Sequence, residues 1–99
     1  MQNIHYKLPE TSISIDTAIE GVAYILYPKM MKKDLYPKGS PERDKLEKEI
    51  ARLQRERDVI YGGGSPADYI CVMNRVNDIY APLIKQAITT GKDFGDLPD

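Results

Sequence analysis

Apolar side chains recur at spacings of three and four along three stretches of the chain, and those stretches set the expected architecture. Ile15, Ile19, Val22, Leu26 and Met30 share one helical face. Leu46, Ile50, Leu53, Arg57 and Ile60 alternate spacings of four and three, which makes a narrow heptad seam. Further on, Tyr69, Val72, Val76, Ile79 and Leu83 form one stripe, and Met73, Tyr80, Ile84 and Ala87 form another beside it. Two adjoining stripes give a face broad enough for more than one neighbour. The spacing predicts helices over about residues 15–33, 41–60 and 66–90.

Residues between these stretches supply starts and stops. Ser14 or Asp16 can cap the first helix, and Pro28 predicts a kink or break near Tyr27, because its ring opposes the Tyr24 carbonyl. The run "VAYILY" also suits a buried strand, so helix is favoured there on periodicity rather than composition. The phrase glycine–serine–proline occurs at Gly39–Pro41 and again at Gly64–Pro66. In each copy serine can cap, proline can enter at the first helical position, and a following acid complements the helix dipole. Ser65 and Asp68 have capping-box spacing, and Gly62 can close the preceding helix in the left-handed conformation. Pro82 should bend the last helix and Gly91 should end it.

These elements assemble into an all-α chain: a kinked N-terminal helix packed on a long antiparallel helical hairpin, residues 40–60 against 65–90. An extended N-terminal arm is expected over residues 1–13, a single helical domain over 14–91, and a loose acidic tail over 92–99.

Composition narrows the function. The chain has 99 residues, enough for one small core, so association into an oligomer is expected. A formal net charge of −1 argues against general nucleic-acid binding, which needs a basic surface. The start lacks a signal-peptide pattern, and no stretch approaches the roughly 18 apolar residues of a membrane span. With a single cysteine, these features lead to an expected cytoplasmic location. Cys71 reads as a small buried hydrophobe, and His5, the one histidine, reads as a solvated or interface residue. No metal site, cofactor or catalytic motif is expected, so the chain is read as non-enzymatic.

Seven tyrosines stand against one phenylalanine and no tryptophan. Tyrosine joins an apolar body to a polar tip and is enriched where proteins meet. Tyr24, Tyr27 and Tyr36, with Lys29, Lys32 and Lys33, are therefore the expected contacts for a protein partner of unspecified identity. The leading expectation is a helical interaction module of the regulator, inhibitor, immunity or antitoxin kind found in bacteria and phages. A second is capture of an anionic, nucleotide-like molecule at a subunit interface by Arg57, Tyr61, Gly63, Ser65 and Tyr69, because glycine-rich helix starts attract anions. A third is a structural assembly subunit.

Overall fold

The computed structural model describes residues 14–92, Gly95 and Leu97. Residues 1–13, where the arm and His5 were expected, lie outside that set. The described residues form an all-α chain of three helices.

Helix α1 spans Ile15–Lys33. Ser14 is its cap, accepting from the Thr17 amide at 3.1 Å, with Asp16 in the first turn and Lys32 and Lys33 in the last. "VAYILY" is helical. The element continues through Pro28 instead of breaking near Tyr27. Pro28 and Tyr24 are both exposed, so the Tyr24 carbonyl freed by the proline ring faces the solvent side of the helix.

Helix α2 spans Pro41–Asp58, with Ser40 accepting from the Arg43 amide at 3.3 Å. Its path runs on into a π-helical turn, Val59–Gly63, where Gly62 takes φ 105° and ends it. A side chain at Gly63 would place its Cβ 2.9 Å from the Asp58 carbonyl oxygen, so the second glycine is required by close approach.

Helix α3 follows in three parts: Pro66–Arg75, a π-helical turn at Val76–Tyr80, and Ala81–Thr90. The capping box is present, with Ser65 Oγ accepting from the Asp68 amide at 3.1 Å and Asp68 Oδ2 from the Ser65 amide at 3.0 Å. The bend expected at Pro82 takes the form of a wide turn one step earlier. The Ala81 amide reaches back to the Val76 carbonyl, and the extra residue in that turn makes room before a proline that cannot donate. Gly91, at φ 69°, donates to the Ala87 carbonyl at 2.8 Å and stops the helix.

Packing is centred on α1. Its Ala18, Val22, Ile25 and Leu26 are fully buried and meet Leu46, Ile50 and Leu53 of α2, with Val72, Met73, Val76 and Tyr80 of α3 completing the core. The most extensive helix contact is between α1 and α2; α3 meets α1 through its π-helical turn and second half, while its first part, Pro66–Arg75, packs on the Val59–Gly63 turn at the tip. The narrow seam of α2 thus faces the first helix for most of its length. Pairing runs antiparallel, since Lys29 meets Glu49 while Tyr36 meets Arg43.

Candidate functional site

Two faces of α1 carry the residues expected to bind a partner. On one, Tyr24 and Tyr27 are exposed, followed at helical spacing by Met31. Beside them the second half of α3 runs parallel to α1: Gly21 lies against Ile84, Tyr24 near Ile88, and Pro28 near Gly91. Between the helices lies an apolar groove of about 440 Å³, floored by Gly21, Val76 and Ile84, and opening into a second hollow beside Tyr27 and Lys92. Tyr24 is 49 % exposed, Tyr27 54 %, Ile88 64 % and Met31 75 %. An exposed apolar strip of this kind, edged by charge, is the signature of an interaction surface.

Lys29 and Lys32 lie on the other face, toward α2, with Tyr36 beside them in the turn beyond α1, and so do not belong to one patch with Tyr24 and Tyr27. Lys29 corrects the sequence expectation most sharply. It is buried, and its Nζ donates to Glu49 Oε1 at 3.0 Å and to the Gly95 carbonyl at 2.9 Å. Glu49 Oε2 accepts from the Leu97 amide at 2.7 Å, and Leu97 itself is buried. Lysine at this position closes the α1–α2 contact and, with Glu49, holds Gly95 and Leu97 against it. Lys33 is half-buried at the C-terminal end of α1, where it complements the helix dipole.

A second buried polar cluster ties α2 to α3. Glu56 accepts from Arg75 Nε at 2.7 Å and from the Tyr80 hydroxyl, while Arg75 Nη2 donates to the Tyr80 oxygen at 3.2 Å. The guanidinium also lies 5.4 Å from the Tyr80 ring centroid. Burial pushes the Tyr80 hydroxyl up to about 12; its bond to Glu56 adds to the shift, and Arg75 opposes it. Because the folded state keeps a proton that an unfolded tyrosine releases near pH 10, this contribution is complete below about pH 10 and lost as pH rises toward about 12. Tyr80→Phe should flatten that alkaline slope in urea unfolding, and at neutral pH should cost about 1–3 kcal/mol by removing a donor from buried Glu56. An unchanged alkaline slope would place the titration elsewhere.

At the hairpin tip, the residues expected to hold an anion have other duties. Ser65 spends its hydroxyl and amide on the capping box, and Gly63 is fixed by its approach to Asp58. The Asp68 carboxyl, held below its ordinary value by its bonds from the backbone and side chain of Ser65, occupies the helix end itself. Arg57 and Tyr69 are half-buried, and Tyr61 is exposed at 68 %. Cys71 is exposed rather than buried.

Sequence periodicity missed Ile88, which stands outside both α3 stripes, together with the inward turn of Glu49, Glu56 and Arg75. Glu49 and Glu56 lie a heptad apart beside the Leu46–Leu53–Ile60 seam, a spacing that was available but masked by the surrounding charge. Among the described residues no group of three or more histidine, cysteine or acidic side chains is placed to hold a metal ion, and no helix is long and apolar enough to cross a membrane. Comparison with protein-family models, curated protein sequences and solved structures returned no match.

Proposed function

We propose that the protein is a helical protein-interaction module that engages its partner through the groove between α1 and the second half of α3. The observation that carries this reading is the strip of Tyr24, Tyr27 and Ile88, three large side chains about half or more exposed that line the groove and the hollow it opens into, with exposed Met31 one turn beyond Tyr27 on α1. Leaving that surface in water is unfavourable at about 25 cal/mol per Å², and association removes the cost. Tyrosines at its centre suit an interface, since a rigid ring brings area at a small entropic cost and keeps its hydroxyl solvated. The two buried polar clusters support the reading differently. Their charged groups are enclosed and bonded to one another, so they act as fasteners between helices rather than as reactive groups.

A photo-reactive amino acid in place of Ile88 should form a protein–protein adduct in the native cell extract, and the same group in place of exposed Gln54 on α2 should not. Equal labelling from both positions, or from neither, would contradict the assignment of the groove.

A further inference from the structure

We propose that the cleft between α2 and the C-terminal half of α1 is a second interaction surface, which receives an acidic protein segment carrying a leucine. Gly95 and Leu97 occupy it as a built-in stand-in for that segment. None of the residues lining this cleft belongs to the groove between α1 and α3, and Gln54 stands outside it.

The buried Lys29–Glu49 pair reads backbone. Lys29 Nζ donates to the Gly95 carbonyl at 2.9 Å, and Glu49 Oε2 accepts from the amide two residues on, at Leu97, at 2.7 Å. Main-chain bonds of this kind give affinity without fixing sequence, and the side-chain sites beside them supply the choice. One such site buries the Leu97 side chain. The other is basic: Lys45, Lys48, Arg52 and Arg55 recur at spacings of three, four and three along α2. With Glu49 and Leu97 they line a hollow of about 280 Å³, so four of its six lining residues are cations. Its one acid, Glu49, is already bonded to Lys29 and Leu97. Asp44 and Asp58, close to Lys48 and Arg55 along the helix, lie outside the hollow. The resident sequence has the complementary chemistry, since Leu97 follows Asp96 directly and precedes Asp99 by two. Gly95 lies only four residues past Gly91, where α3 stops, so proximity favours the resident segment. A partner's segment must therefore be longer or more acidic to displace it.

The probe is a fluorescein-labelled peptide of sequence F-G-D-L-P-D, its binding to the full chain followed by anisotropy. Leu97→Ser empties the anchor position and should bind the peptide roughly tenfold more tightly than the parent does. Gly95→Ala should raise affinity by roughly threefold, because alanine is strained in the left-handed backbone at φ 69°. Its Cβ meets nothing within 4 Å and every core side chain stays in place, so this variant decides the matter if Leu97→Ser fails to fold. Adding Arg52→Glu to either variant should cancel the gain, and a peptide with serine in place of leucine should not bind. Parental affinity in both variants, or equal binding of the serine peptide, would overturn the proposal. A single-stranded oligonucleotide that binds Leu97→Ser as tightly as the peptide would overturn it too, since charge alone would then account for the strip. So would a parent chain that sediments as a dimer dissolved by Leu97→Ser, because the occupant would then be the segment of a second copy.

Discussion

Leu53→Asp should leave the chain largely unfolded. Leu53 is fully buried in the middle of the α2 seam, so a carboxylate there would lose its water without gaining a donor. Its neighbours worsen the outcome. Glu49 lies four residues before it and Glu56 three residues after, both already buried on the same face, and their donors Lys29 and Arg75 are committed to them. A third carboxylate between two others adds like-charge repulsion to desolvation. The expected cost exceeds about 4–5 kcal/mol, comparable with the whole stability of a small domain. Far-UV circular dichroism and urea unfolding measure it directly. Leu53→Ala should be milder, about 2–5 kcal/mol with the helices retained, because it leaves a cavity and no charge. A Leu53→Asp protein with parental helicity and midpoint would show that α2 does not bury this seam.

Lys29→Met should be the next most damaging change, at about 3–5 kcal/mol. The methionine fills the space of the lysine stem but leaves Glu49 with one of its two oxygens unbonded in a buried position. It also frees the Gly95 carbonyl, so Gly95 loses its bond to the lysine. Adding Glu49→Leu removes the stranded charge, and the double variant should be more stable than Lys29→Met alone, since replacing both members of a buried pair costs less than removing one. Urea midpoints of the three proteins decide the matter. If the double variant is no better than the single, Glu49 is satisfied by something other than the lysine.

These two positions also show what could be read from the sequence. The helix starts were legible because serine, proline and an acid at fixed offsets leave few alternatives, and Ser40 and Ser65 cap as their spacing required. Glycine signals at Gly62 and Gly91 were legible for the same reason, both being in the left-handed region. Charge was not legible. In a stretch where acids and bases alternate in equal number, only the heptad spacing of Glu49 and Glu56 beside the seam sets them, which turn inward, apart from Glu47, which stays exposed, and the surrounding charge masks it. What selects them is a partner on another helix: Lys29 on α1, Arg75 and Tyr80 on α3. Neighbour choice was hidden too. A short loop suggested α2 against α3, but the small and β-branched residues of α1 allow it to lie along α2, leaving α3 a face to share. Of the expected contact residues, Tyr24 and Tyr27 reach the groove because they lie opposite the buried face of α1. Ile88 joins them only through the parallel course of α3.

The account is tested most directly by the mass of what a photo-reactive group at position 88 captures, compared with one at position 54. The expected result is a protein adduct from position 88 and none from position 54. Capture at position 54 with none at position 88 would contradict the claim that the groove between α1 and α3 is the working surface of this protein.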